Sequence, residues 1–181
     1  MPARPSVALS PLLLLVAAAS LHAQGLAVGG GGIYAGSRAS GPGRLQEGYG
    51  FDAFAAVGGG PLSLAGGYQR SVQALRDVDT RVTLQGPYLE PRLALGLGRG
   101  ATPYLTGRVA LLRETVRGDV VTVSNSARTA VGAGLGFLVP LGPAINLDLA
   151  AHYTRFDVKQ DTRAGDGALV RAGLVFGFPR Y

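Results

Sequence analysis

From Ala168 to Tyr181 the chain reads ALVRAGLVFGFPRY, with its large apolar side chains on every second position. Val170, Ala172, Leu174, Phe176 and Phe178 share one face of an extended segment, and Arg171, Gly173, Val175 and Gly177 share the other. A period of two marks a strand, because successive side chains leave opposite faces of the pleat. Here the second face carries glycine and arginine, where a soluble sandwich would present Thr, Lys and Glu. Such a strand is apolar outside, small and charged inside, and last in the chain. That is what a transmembrane β-barrel uses to close.

The same alternation recurs through the chain in segments of about ten residues, the length a tilted strand needs to cross a bilayer. The first is Gly25 to Ala35, heavy in glycine. In Gly48 to Gly58, Tyr49, Phe51, Ala53, Ala55 and Val57 alternate against Gly48, Gly50, Asp52 and Phe54. The third, Leu62 to Val72, sets Leu62, Leu64 and Tyr68 against Ser63, Ala65 and Gln69. In Arg81 to Leu97 the apolar face is Leu89, Pro91, Leu93, Leu95 and Leu97, opposite Tyr88, Glu90 and Arg92. Pro91 lacks a ladder donor, so a local bulge is expected there. Tyr104 to Glu114 sets Leu105, Val109 and Leu111 against Thr106, Arg108 and Glu114. Arg128 to Val139 and Ala144 to Asp157 follow, the latter presenting Asn146, Asp148, His152 and Thr154 on its polar face.

The connections sort by length. Short turns fall near Gly59–Pro61, Gly98–Pro103 and Pro140–Pro143, and longer polar ones near Ser37–Glu47, Gln73–Thr80, Thr115–Ala127 and Val158–Gly167. An outer-membrane barrel has short periplasmic turns, longer extracellular loops and both termini inside, and eight strands satisfy that parity. Aromatic residues also collect near strand ends. Tyr34, Tyr49, Tyr68, Tyr153 and Phe156 are expected at the outer membrane interface, and Tyr104, Phe137, Phe176 and Phe178 at the inner one. The fold expected for residues 24–181 is therefore all-β, an eight-stranded antiparallel up-and-down transmembrane β-barrel.

Residues 1–23 read as a signal peptide: Arg4, an apolar run from Val7 to Ala19, and cleavage after Ala23. The net charge is +6, and +5 without Arg4; Lys159 is the only lysine. With no Lys/Arg run and no stacking platform, nucleic acid is not an expected partner. Anionic lipid or lipopolysaccharide is the expected acidic neighbour. The chain has no cysteine, which excludes disulfides and thiolate chemistry, and no His/Asp/Glu cluster at metal-ligand spacing. No cofactor is expected, since the runs Gly29–Gly32 and Gly96–Gly100 lack the ending and the helix of a phosphate-binding loop.

These features resemble the outer membrane protein beta-barrel domain group, which includes OmpA-like and OmpX-like proteins. The resemblance spans the mature chain and rests on the leader, the eight alternating strands, the segment Tyr88-Leu89-Glu90-Pro91-Arg92-Leu93 and the aromatic final strand. The chain departs from the group in ending Pro179-Arg180-Tyr181 after Phe178. The resemblance implies recognition by the barrel assembly machinery during biogenesis and a monomer in the membrane.

The inward charges Asp52, Glu90, Arg92, Arg108, Glu114, Asp148, His152 and Arg171 are the main candidate site. An eight-stranded barrel is only wide enough to be filled by side chains, and an isolated buried ion is costly, so these groups must pair, with Glu90, Asp52 and Asp148 as the candidate carboxylates for Arg171. The expected role is structural or surface-interacting, with a side-chain-filled polar interior. A narrow pore or a small-ligand or lipid-binding barrel is the alternative. His152-Tyr153-Thr154 is also comparable with the His-x-Ser of outer-membrane lipid A deacylases, with Asp166 as the acid. Thr is a poor nucleophile in that place and Asp166 falls in a connection, so no catalytic residue is expected. The longest connection carries Arg113, Glu114, Arg117, Asp119 and Arg128, with Ser124-Asn125-Ser126 at its tip. Such loops suit a host protein, a phage or lipopolysaccharide phosphates.

Overall fold

The computed structural model describes residues 25–37, 45–75, 80–96, 100–117, 122–156 and 166–177. The leader at 1–23 and the terminal residues Phe178, Pro179, Arg180 and Tyr181 lie outside these. Eight strands form: β1 (Gly25–Ser37), β2 (Leu45–Gly59), β3 (Leu62–Leu75), β4 (Arg81–Ala94), β5 (Thr102–Arg117), β6 (Thr122–Gly142), β7 (Ile145–Phe156) and β8 (Gly167–Phe176). Each pairs antiparallel with its neighbours in sequence, and β1 pairs with β8, so the sheet closes into an up-and-down barrel.

Paired residues trace the stagger. A path from Arg113 through Gln85, Arg70, Phe51, Gly32, Ala172, Leu149 and Phe137 returns to β5 at Pro103, ten residues lower on the strand. At about 3.3 Å per residue and about 4.8 Å between strands, that shear tilts the strands by about 40°.

The faces follow the alternation. Outside, Leu26, Val28, Leu62, Leu64, Leu89, Leu105, Val109, Leu111, Leu135, Leu149, Val170 and Leu174 are exposed, an apolar belt around the wall. Inside, Phe54, Tyr104, Leu138 and Val175 fill the lumen toward the short turns, and Leu45, Val82, Leu84 and Leu112 fill it toward the longer connections. A charged layer separates the two.

Several boundaries differ from expectation. Pro91 causes no bulge: it pairs with Leu64, and β4–β5 keeps one register from Leu89 to Arg92, because the ring points outward. The irregularities fall instead between Leu45 and Gly48, Arg113 and Thr115, and Pro140 and Gly142. The span Thr115–Ala127 is mostly strand rather than loop. Thr115 pairs with Ser124 and Arg117 with Thr122, so Ser124–Ser126 are part of β6. Strand β4 ends at Ala94, short of Leu97, and β8 ends at Phe176, where Gly177 turns away at a φ of 86°. Gly60, at a φ of 60°, makes the β2–β3 turn with Pro61.

Candidate functional site

Charged side chains from opposite walls meet in the middle of the lumen. Glu90 of β4 is its centre. Arg92 Nε and Arg108 Nη1 each donate to the Glu90 carboxylate at 2.8 Å, and Arg171 Nη2 donates from β8 at 3.0 Å. Arg171 also reaches Asp148 of β7 at 3.0 Å and Asp52 of β2 at 3.3 Å. Arg92 lies 3.4 Å from Asp148, and Arg108 lies 3.9 Å from Asp52. Three guanidinia thus face three carboxylates, and none of the six residues is more than 6% exposed.

Aromatic and amide groups complete the layer. Tyr88 donates to Asp52 at 2.8 Å, Tyr104 to Asp148 at 2.5 Å, and Arg108 to Gln69 at 2.5 Å. The Arg108 guanidinium stacks 3.6 Å over the Tyr88 ring, and Arg92 and Arg171 lie 4.8 and 5.2 Å from the Phe54 ring. Charge-assisted bonds of this kind are the strong ones, and a cation over an aromatic face gains further when water is excluded. The arrangement cancels charge inside a narrow wall.

Of the sequence-predicted interior residues, Asp52, Glu90, Arg92, Arg108, Asp148 and Arg171 come together. His152 is buried with its Nε2 3.8 Å from Glu90, and its ring nitrogens make no hydrogen bond. Glu114 also points inward and is buried, but it stands six residues from Arg108, about 20 Å along the tilted β5 toward the long connections. Sequence reasoning missed Tyr88, Tyr104, Gln69 and Phe54 as partners. Tyr104, expected at the inner interface, is buried in the lumen instead. Its even position on β5 matches Thr106 and Arg108, a signal outweighed by its nearness to a turn.

Six of the other predicted aromatics face outward and are exposed. Tyr34, Tyr49, Tyr68 and Tyr153 lie toward the long connections, and Phe137 and Phe176 toward the short turns. Phe178 and the side chain of Phe156 lie outside what the structure describes. The candidate triad is not assembled. His152 and Thr154 point into the lumen, whereas Asp166 accepts a hydrogen bond from the outward Tyr153 at 2.5 Å and lies 3.9 Å from Arg155.

Above the charged layer a cavity opens toward the long connections, lined chiefly by Leu45, Leu84, Leu112 and Leu169, with Gln73 and Thr154. About 30 Å³ of it admits the centre of a water molecule, room for roughly two waters. No group of three or more His, Cys, Asp or Glu among the described residues could hold a metal ion.

A closed eight-stranded up-and-down barrel, with an apolar outer belt and a lumen filled by paired charges, defines the fold class of the small outer-membrane β-barrels. Three solved structures of that class are similar to this chain. Neisserial surface protein A superposes with a TM-score of 0.67 at 18% identity, over 86% of this chain and 97% of that one. Ail, the attachment invasion locus protein of Yersinia pestis, gives 0.53 at 13% identity over the same shares. The outer membrane protein OprG from Pseudomonas aeruginosa gives 0.52 at 11% identity, over 86% and 96%. At such identities the likeness is one of fold. No protein-family model and no curated protein matches the sequence.

Proposed function

We propose that this protein is an outer-membrane β-barrel that holds its lumen shut and has a structural or surface-interacting role in the envelope, not that of a channel or an enzyme. The observation that carries the reading is the neutral layer of Arg92, Arg108 and Arg171 against Asp52, Glu90 and Asp148, buried across the full width of the lumen. An ion crossing it would have to displace paired charges from a water-poor site, at a cost of several kcal/mol per ion. Planar bilayers containing the protein are expected to show no unitary conductance steps in 1 M-scale salt, as the immobile pairs resist screening. Discrete, salt-dependent steps would overturn the closed reading.

The envelope placement rests on the apolar belt and the two bands of exposed aromatics, whose rings suit the headgroup level. The leader would direct export, the barrel assembly machinery would insert the chain, and the barrel would stand as a monomer. Fractionation should recover it in the outer membrane, with a gel mobility that shifts on boiling. Recovery as a soluble periplasmic protein would sink the reading. A second reading, a small-ligand barrel, is favoured by the upper cavity, where buried Gln73 Oε1 and Thr154 Oγ1 lack a partner. Its size limits any occupant to a few heavy atoms.

A further inference from the structure

The strands of the outer wall, among the described residues, carry exposed charge at one end only. Among the described residues, the exposed charged side chains on the strands are Glu47, Arg70, Arg81, Arg113, Arg117 and Arg155, all in the half nearer the long connections. The acids there are already engaged. Tyr34 donates to Glu47 at 3.0 Å, and Asp166 is taken by Tyr153 and Arg155. Arg70, Arg81, Arg113 and Arg117 stand on the consecutive strands β3, β4 and β5, next to the β2 strand that carries Glu47, and no ion pair joins them to an acid of the described residues.

The register draws these four together. Arg81 is the direct cross-strand partner of Arg117. Four residues down the same strands, Gln85 sits between Arg70 and Arg113. Strand spacing puts the Cα atoms of Arg70 and Arg113 about 10 Å apart, and the Cβ atoms of Arg81 and Arg117 about 5 Å apart. Like charges directly opposite on a sheet destabilise it unless an anion lies between them. Two residues below this group, Tyr68, Pro87 and Leu111 begin the apolar belt. The eight residue steps from Leu62 to Arg70 rise about 20 Å at the strand tilt, close to the height of the hydrocarbon band on such barrels. The arginines therefore stand at headgroup level.

We propose that this outer face of β3–β5 binds the phosphates of an anionic outer-leaflet lipid, a phosphorylated glycolipid. Arg81 and Arg117 clamp one phosphate, and Arg70, Gln85 and Arg113 receive a second. The guanidinium fork matches phosphate oxygens in pairs, and a site at the belt's edge lets the acyl chains lie along Tyr68 and Leu111 while the headgroup is held. The proposal rests on the reading of the chain as a membrane barrel with its long connections outward.

The test uses the protein folded in phosphatidylcholine nanodiscs doped with bis-phosphorylated lipid A or with its dephosphorylated counterpart. Native mass spectrometry should show at least tenfold preferential retention of the phosphorylated lipid. The variant R70Q/R81Q/R113Q/R117Q should lose at least tenfold of that retention, while R155Q, whose partner is Asp166, should not. Thermal unfolding adds a second readout, since the phosphorylated lipid should raise the midpoint of the wild type and leave that of the fourfold variant unmoved. Equal retention by the fourfold variant, equal retention of the dephosphorylated lipid, or displacement by equimolar inorganic phosphate would overturn the proposal. A protein that enters no nanodisc and shows no heat-shifted band would overturn the membrane reading as well. Failure of the lipid comparison alone leaves that reading standing.

Discussion

Glu90→Leu should destabilise the barrel by about 3–5 kcal/mol, the usual cost of removing one partner from a buried ion pair. Glu90 is fully buried and accepts from Arg92, Arg108 and Arg171 at once. Without its carboxylate, three guanidinia would face only Asp52 and Asp148, leaving a net positive charge in a lumen too narrow to solvate it. Glu90→Gln keeps an acceptor oxygen and should cost less than Glu90→Leu. Urea unfolding in detergent, followed by the heat-modifiable gel band, measures both. A loss under about 1 kcal/mol for the leucine variant would mean that water reaches and screens the guanidinia, and the closed lumen would no longer follow.

Gly31→Val should prevent the barrel from closing. Gly31 lies on β1 at the seam, paired with Gly173 of β8 on one side and Asp52 of β2 on the other. A Cβ at Gly31 would run into the backbone of Ala172 and Gly173, and one at Gly173 would run into that of Gly30 and Gly31. Backbone on both sides cannot yield as a flexible side chain would, so the cost exceeds the ~1–3 kcal/mol of ordinary overpacking. The expected result is loss of the heat-shifted folded band on refolding. The adjacent position is the control: a Cβ at Gly32 meets nothing within 4 Å, so Gly32→Ala should fold as the wild type does. Normal folding of Gly31→Val would show that the seam can open and re-register.

Glu90 is a residue whose facing was legible in the sequence, whereas the facing of Gly31, in the glycine-heavy first strand, was not. Alternation put Glu90 and Arg92 on the inner face because the pleat repeats every two residues whatever surrounds it. It also offered Asp52, Glu90 and Asp148 as candidate partners of Arg171, and the structure joins Arg171 to all three at once, across 119, 81 and 23 residues of chain. Tyr88 and Phe54 also fell on the inner face, yet a reading led by formal charge passed over a hydroxyl and a ring. Tyr104 shows the opposite error, in which nearness to a turn was weighed above parity. The strand boundaries at Thr115–Ala127 failed for a different reason. Polar residues in a barrel's outer hairpins can stay in the ladder, because cross-strand hydrogen bonds and not hydropathy extend it.

Period-two alternation, the sorted connection lengths and the paired inner charges by themselves determined that this chain closes as eight antiparallel strands, apolar outward and polar inward. Only the tertiary structure decided which charges meet and at what height. The ten-residue stagger around the barrel sets the level at which each strand's inner side chains face those of every other. That stagger is a property of closure, shared by all eight strands and carried by none of them alone. It put Arg171 across the lumen from Glu90, while the register of β4 against β5 set Arg81 against Arg117 on the outer wall.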